Sequence, residues 1–361
     1  MPLLKKINQV LLALLVLMVC LLLHNTLLKP STRHRPDNRK SHGSAVRHPH
    51  PRWSEEDNAI PVIICASEER MGGTMAAINS IISNTDASVF FYIVTLRDAV
   101  KLTREYVEKT KLKAIHYKIL EFNPMVLQGK VKPDSSRPDL LHPLNFVRVY
   151  LPLLNLKHER VIYLDDDVIL QGDIKGLFNI QLKAEHAAAF ATDCDLPSTH
   201  EMVRSIGMQT TYMGFLDYRK QQVKDLGIHP NDCSFNPGVF VADMKRWKEQ
   251  KITKQLEKWM EENCRDNIYS SAMAGGVVTP PMLIVFHDKY TTLNPMWHVR
   301  HLGWSPDAHY SETFLQDAHL LHWNGPFKPW NYPAVHMDLW EKWFIPDPSG
   351  KFSLKRPDSD I

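Results

Sequence analysis

Asp165-Asp166-Asp167 interrupts two apolar runs, Val161-Ile162-Tyr163-Leu164 before it and Val168-Ile169-Leu170 after it. Carboxylates flanked in this way are costly to bury unless a cation compensates them. Side chains at the end of a strand alternate in direction, so Asp165 and Asp167 turn one way and Asp166 turns aside. Two oxygen donors converging from one side suit a hard divalent cation. An acidic turn between strands is the alternative. Such turns usually bring glycine, proline or polar neighbours, and none is present here. A phosphatase of the Asp-x-Asp-x-Thr type is a poor fit, because Ile169 stands at the threonine position.

A second constellation follows the apolar Leu320-Leu321: His322-Trp-Asn-Gly325-Pro-Phe-Lys328-Pro329-Trp330. A neutral imidazole at His322 can serve as a third metal ligand. Gly325 lets backbone approach an anionic ligand closely, and Lys328 offers a compact positive charge to a diphosphate. One histidine among 18 carries little weight alone; the glycine and lysine at fixed offsets give it more. Between the two motifs, Asn236-Pro237-Gly238 is a tight turn signal. An asparagine there can also hydrogen-bond sugar hydroxyls.

These residues need a frame. Ile60–Ala66 is an apolar, β-branched run, and Gly72-Gly73 open a helical stretch over Thr74–Ser83. Val89–Thr95 and Ile115–Leu120 read as strands, Leu102–Leu112 and Leu144–Leu154 as helices with Pro152 disturbing the second, and Arg160–Leu164 as a buried strand. Ile252–Cys264 has apolar residues at helical spacing. Strands alternating with helices imply an α/β fold with a mostly parallel sheet. Ligands in such sheets sit beyond the carboxyl ends of the strands, where the aspartates lie.

The order Arg148, Tyr163-Leu-Asp-Asp-Asp167, Phe235-Asn-Pro-Gly238, His322-x-x-Gly325-x-x-Lys328-Pro-Trp330 resembles the family-8 glycosyltransferases, in their animal form, over residues 60–330. Met75-Ala-Ala-Ile-Asn-Ser80, Cys233-Ser-Phe-Asn-Pro-Gly238 and Leu320-Leu-His-Trp-Asn-Gly325 support it. The resemblance implies a nucleotide-sugar transferase fold of the A type, Rossmann-like. It implies a divalent metal, usually Mn²⁺, a UDP-sugar donor, and transfer of a hexose or pentose with retention to a glycan, protein or lipid acceptor. Asp165, Asp167 and His322 would bind the metal. Asp166 would lie along the ribose; Gly325 and Lys328 would hold the diphosphate. Ala66 and Arg148 would line the donor pocket, with Glu68 near the uracil. Asn236 and Asp193 would face the transferred sugar or the acceptor. Two departures stand out: Pro237 where many members carry alanine, and Ser270-Ser-Ala-Met-Ala-Gly-Gly276 where bacterial members carry Asp-Gln-Asp. The rival reading is a luminal protein that binds UDP and metal without efficient transfer.

At the N-terminus, Lys5 and Lys6 precede an uncharged stretch over residues 7–28 whose core, Val10 to Leu23, is unbroken apolar. Its length approaches that of a membrane-spanning helix, and no small-x-small cleavage site follows. Residues 29–58 are basic, histidine-rich and without hydrophobic period, the composition of a stem. The expected organisation is a cytosolic tail 1–6, a signal anchor 7–28, a stem 29–58 and a catalytic domain 59–361. The resemblance implies a Golgi-type, single-pass type II membrane protein with that domain luminal. A homodimer is allowed for.

Whole-chain composition agrees with an enzyme of this kind. The 361 residues are 44% hydrophobic and 23% charged, which excludes a wholly disordered chain. The formal charge of +3 combines a strongly basic N-terminal tail and stem with a mildly acidic body, which argues against a nucleic-acid partner. Five cysteines are too few for a disulfide-built scaffold. At most one disulfide is expected, Cys194–Cys233 first, since both flank segments near the proposed site.

Overall fold

The apolar run Ile60–Cys65 forms strand β1, buried at every position. Burial on both faces is what continuous β-branched sequence gives in a parallel sheet covered by helices. The computed structural model describes residues 58–132, 138–192, 194, 213–271, 273–274, 276–307 and 309–357. These belong to one compact unit, Trp53–Ile361.

The further strands are β2 (Val89–Thr95), β3 (His116–Glu121), β4 (Arg160–Leu164), β5 (Val168–Leu170), β6 (Ala188–Phe190), β7 (Val239–Asp243), β8 (Thr291–Thr292) and β9 (Leu320–His322). Among the described residues the main sheet has the order β3-β2-β1-β4-β7-β6-β8, and β5 pairs with β9 in a small second sheet. The pairings β1–β2, β1–β4, β2–β3 and β6–β8 are parallel. Strand β7 runs antiparallel to both β4 and β6.

Alternation along each strand sends side chains to two apolar layers. Val62, Ile64, Phe91, Ile93, Ile162 and Leu164 pack with Met75, Ile78, Leu102 and Tyr106, which lie on helices α1 (Met71–Ser83) and α2 (Val100–Glu108). Ile63, Tyr92, Tyr163 and Phe240 pack on the other face with Trp247, Leu256, Met260 and Phe286, from α3 (Met244–Glu249), α4 (Ile252–Asp266) and α5 (Thr279–Phe286). A third cluster of Ala76, Ile169, Leu321, Trp323, Trp330, Trp340 and Phe352 sits under the small sheet and carries the histidine motif.

Three sequence expectations change, the first being the helix over Leu102–Leu112, which spans Val100–Glu108 and is followed by a 3-10 turn at Lys111–Ala114. The helix expected over Leu144–Leu154 is a pair of 3-10 segments, Pro143–Val149 and Leu151–Leu154. Pro143 and Pro152 each lack a backbone donor, and Asn155 turns left-handed at φ 47°, so no α-helical ladder propagates. Helix α1 begins at Met71 with Gly72 and Gly73 inside it. A Cβ on Gly73 would lie 2.6 Å from the Trp330 ring and 2.7 Å from the Asp166 carbonyl, so these glycines serve close packing beside the site.

Cys194 and Cys233 form a disulfide with Cα atoms 5.6 Å apart. Among the described residues Cys65 and Cys264 are free thiols. No helix among the described residues is long and apolar enough to cross a membrane. The expected tail, anchor and nearly all of the stem, residues 1–57, lie outside the described residues.

Candidate active site

Strands β1 and β4 are parallel neighbours, so their carboxyl ends meet at one edge. Strand β7 enters there in the opposite sense, and the Asn236-Pro237-Gly238 turn that precedes it comes to rest beside Asp165. The Asp165 amide donates to the Gly238 carbonyl at 2.8 Å. Beyond the triplet the chain becomes β5, and Val168 pairs with His322 of β9. The Trp323 amide donates to the Asp167 carbonyl at 3.0 Å. Backbone hydrogen bonds thus bring together motifs more than 150 residues apart, as the His322–Asp167 separation of 155 shows.

One ligand atom each from Asp165, Asp167 and His322 falls within 4.8 Å of the others. His322 Nε2 lies 2.8 Å from Asp167 Oδ1 and 3.8 Å from Asp165 Oδ2. Two carboxylate oxygens and one imidazole nitrogen are a donor set that suits a divalent cation such as Mn²⁺. Gly238 keeps the space open: a Cβ there would stand 2.4 Å from Asp165 Oδ2 and 2.6 Å from His322 Cε1. The residues present therefore fit the cation that the family resemblance implies.

Each carboxylate also has a cation behind it. Arg148 grips Asp165 with two nitrogens, at 2.6 and 3.3 Å, and donates to the Pro237 carbonyl at 2.8 Å. Arg70 grips Asp166 with its Nε at 2.7 Å and also through Nη2. It approaches Asp167 Oδ2 at 3.3 Å and lies over the Trp330 ring at 5.3 Å. Lys328 Nζ donates to Asp167 and, at 2.9 Å, to the Trp323 carbonyl. Burial raises the Asp166 pKa even with Arg70 beside it. Burial acts in the same direction on Asp167, but Lys328, His322 and Arg70 together hold it well below the usual carboxylate range. Burial lowers the Lys328 pKa, against the pull of Asp167.

The remaining sequence candidates are placed as follows. Ala66 is fully buried just past β1, its amide bonded to the Val94 carbonyl at 2.8 Å. Glu68 is exposed and pairs with Lys351 at 3.0 Å. Asn236 is half-buried, its side-chain oxygen accepting from the Gly238 amide at 2.8 Å. Gly325 adopts φ 113°, and a Cβ on it would meet the Gly303 carbonyl at 2.4 Å, so only glycine fits. Asp193 lies outside the described residues. Three site residues escaped sequence reading: Arg70, His298 and Gly303. Arg70 had a weak signal, a lone cation just past a strand that ends at the ligand edge. His298 and Gly303 had none, since only folding brings them against His322 and Gly325.

A mostly parallel sheet whose ligand edge carries an acid pair defines a nucleotide-sugar transferase fold of the A type. It is similar to the galactosyltransferase LgtC, solved in complex with donor and acceptor sugar analogs. The TM-score is 0.59 at 14% identity, over 81% of this chain and 100% of that one. It is also similar to the bifunctional glycosyltransferase WbbM, with TM-score 0.56 and 18% identity over 83% of this chain and 51% of that one. The model of glycosyl transferase family 8 matches residues 61–334, and the chain belongs to that family. It is 60% identical to Homo sapiens glycosyltransferase 8 domain-containing protein 2 over 354 residues, 98% of this chain and 99% of that protein. It is 48% identical to Rattus norvegicus glycosyltransferase 8 domain-containing protein 1 over 364 residues, 99% of this chain and 98% of that protein.

Proposed function

We infer that this protein is a Mn²⁺-dependent, retaining glycosyltransferase that moves a hexose or pentose from a UDP-sugar to a glycan, protein or lipid acceptor. The observation that carries the reading is the convergence of Asp165, Asp167 and His322 within 4.8 Å. Electroneutrality supports it. Arg70, Arg148 and Lys328 already balance the three carboxylates. A dication then leaves excess positive charge, which the diphosphate of a UDP-sugar cancels. Metal and UDP should accordingly bind with strong mutual cooperativity.

When bound, the cation supplies Lewis-acid neutralisation of the departing diphosphate. The chain's own residues do the rest. Lys328 turns its ammonium from Asp167 toward the phosphate oxygens, where negative charge grows as the glycosidic bond breaks. Gly325 would hold the diphosphate through its backbone, its bare Cα being required by the Gly303 carbonyl. Arg148 holds Asp165 in its ligand orientation, and Arg70 holds Asp166 beside the ribose. Asn236 and Asp193 face the transferred sugar or the acceptor. No side chain of the described edge stands out as a nucleophile, which favours front-face attack.

UDP release from a panel of UDP-sugars, with and without Mn²⁺, tests the reading, and the anomeric configuration of the product tests retention. Tight Mn²⁺-dependent UDP binding without release from any donor favours the second reading, a luminal UDP- and metal-binding protein. The absence of an acid in Ser270–Gly276 is what supports that alternative. The same proposal places the protein in a Golgi or other secretory membrane, type II, on the strength of the N-terminal sequence.

A further inference from the structure

The His322 ring uses both of its nitrogens. Nε2 lies 2.8 Å from Asp167 Oδ1, and Nδ1 lies 2.8 Å from Nε2 of His298. Backbone pairing sets this up. The Val299 amide donates to the Leu320 carbonyl at 3.0 Å and the His322 amide to the Val299 carbonyl at 2.8 Å. Val299 and Leu321 bridge in parallel and point into the apolar cluster beneath. Their neighbours His298 and His322 therefore share the opposite face, with ring planes 15° apart and centroids 5.1 Å apart. Both rings are buried, His298 at 2% exposure and His322 at 1%.

A carboxylate only accepts hydrogen bonds. Without a bound cation, Nε2 of a neutral His322 must carry the proton that meets Asp167. Its Nδ1 then accepts, and the proton in the His–His bond belongs to Nε2 of His298. In its neutral form that ring leaves a lone pair on Nδ1. That Nδ1 is buried and has no partner among the described residues.

A cation held by Asp165 and Asp167 requires the lone pair of His322 Nε2. The His322 proton must then sit on Nδ1 and point at His298. We propose that His298 is a positioning residue for the cation site, holding His322 by a hydrogen bond that reverses direction between the empty and the loaded site. The proton balance closes. The Nε2 proton of His298 crosses to Nδ1 of His322, the Nε2 proton of His322 leaves to solvent, and one solvent proton binds Nδ1 of His298. Neither ring changes its charge. A carboxylate or carbonyl in the place of His298 could only accept, and would leave the empty site with facing lone pairs. An imidazole can both donate and accept. Partners of metal-bound histidines are commonly worth 10- to 100-fold in metal affinity.

The inference rests on the cation site proposed above, and the experiment separates the two. Mn²⁺ is titrated into the full chain in the presence of UDP by calorimetry, for wild type, Asp167→Asn, His298→Phe and His298→Gln. Phenylalanine keeps the flat ring but no polar atom; glutamine offers both a donor and an acceptor. We expect His298→Phe to weaken Mn²⁺ binding about 10- to 100-fold and His298→Gln to recover most of it. Wild-type affinity in His298→Phe overturns the positioning role while leaving the cation site standing. Glutamine no better than phenylalanine also overturns it, since packing alone would then explain the loss. Absence of Mn²⁺ binding in wild type, equal to Asp167→Asn, overturns the cation reading itself. Should His298→Phe fail to fold, ring ¹⁵N spectra of wild type decide. Loading with Zn²⁺ should move the His322 proton from Nε2 to Nδ1, and an unchanged tautomer overturns the proposal.

Discussion

Val168 stands directly opposite His322 in the antiparallel ladder of β5 and β9, so the last aspartate of the triplet is one residue from the pairing that fixes the histidine. Backbone register, not side-chain attraction, thus sets the Asp167–His322 geometry. Backbone also closes the other side of the site. The Gly238 carbonyl accepts the Asp165 amide at 2.8 Å, and its bare Cα faces both Asp165 and His322.

Gly238→Ala should therefore cripple the site without unfolding the protein. The new methyl would stand 2.4 Å from Asp165 Oδ2 and 2.6 Å from His322 Cε1, so at least one of those side chains must move. Overpacking of this kind costs about 1–3 kcal/mol of stability. Mn²⁺-dependent UDP affinity should fall at least ~10-fold, the scale of one misplaced metal contact. Calorimetry with chemical denaturation checks both numbers. Unchanged affinity in a folded variant would show that Gly238 only shapes the turn.

Arg70 and Asp166 should behave as a coupled pair. The guanidinium grips the carboxylate with two nitrogens, and Asp166 is buried while the Arg70 side chain remains 34% exposed. Charge-assisted bonds of this type are worth roughly 1.5–3 kcal/mol, and solvent screening of Arg70 argues for the lower part of that range. Arg70→Ala should destabilise more than Arg70→Ala combined with Asp166→Asn, because the single change leaves a buried carboxylate unpaired. A double-mutant cycle on urea midpoints measures the coupling. Additive effects would show that the contact contributes nothing.

The convergence of Asp165, Asp167 and His322 was legible in the sequence, and what was missed has a physical pattern. The strands Val89–Thr95 and Arg160–Leu164 fall at the expected residues, because short runs of β-branched and aromatic residues admit few other environments. Asp165, Asp167 and His322 carried their own signals: uncompensated charge between apolar runs, and fixed offsets to Gly325 and Lys328. Apolar spacing over Leu144–Leu154 suggests a helix that Pro152 only disturbs, whereas the structure forms 3-10 segments from Pro143 to Leu154. Arg70 and His298 were missed because their partners lie far away in sequence. Arg70 meets Asp166 at a separation of 96 and His298 meets His322 at 24, so no local period reports them.

Thiol chemistry should follow burial and pairing. Cys65 donates to the Leu144 carbonyl at 3.6 Å, and burial pushes its pKa up to about 12. At pH 8 its thiolate fraction is then on the order of one part in ten thousand, and raising the pH toward 12 increases it. The native protein should leave Cys65 unlabelled by iodoacetamide at pH 8 over hours. Denatured and unreduced, the full chain should expose Cys20, Cys65 and Cys264, with Cys194 and Cys233 withheld as the disulfide. Alkylation of all five cysteines under those conditions would exclude the pairing.

Lys328 offers the sharpest test of the diphosphate role. Its ammonium donates to Asp167 and to the Trp323 carbonyl at 2.9 Å, with the side chain only 15% exposed. Asp167 also bonds His322 and lies near Arg70, so Lys328→Ala leaves that carboxylate partly compensated. Some stability is lost, and a bound divalent cation at Asp167 should restore part of it. UDP affinity should fall about ten- to a hundred-fold, the equivalent of one charge-assisted contact. Uridine, which has no phosphate for the ammonium to meet, should bind both proteins alike. The loss in transfer rate should exceed the loss in binding, because charge on the diphosphate grows toward the transition state. Lys328→Arg should rescue only in part, since a planar fork cannot occupy the position of a compact ammonium. Calorimetry with UDP and uridine, run with and without Mn²⁺, reads these differences directly. An equal loss for uridine and UDP would show that Lys328 acts through the fold, and the diphosphate role would have to be dropped.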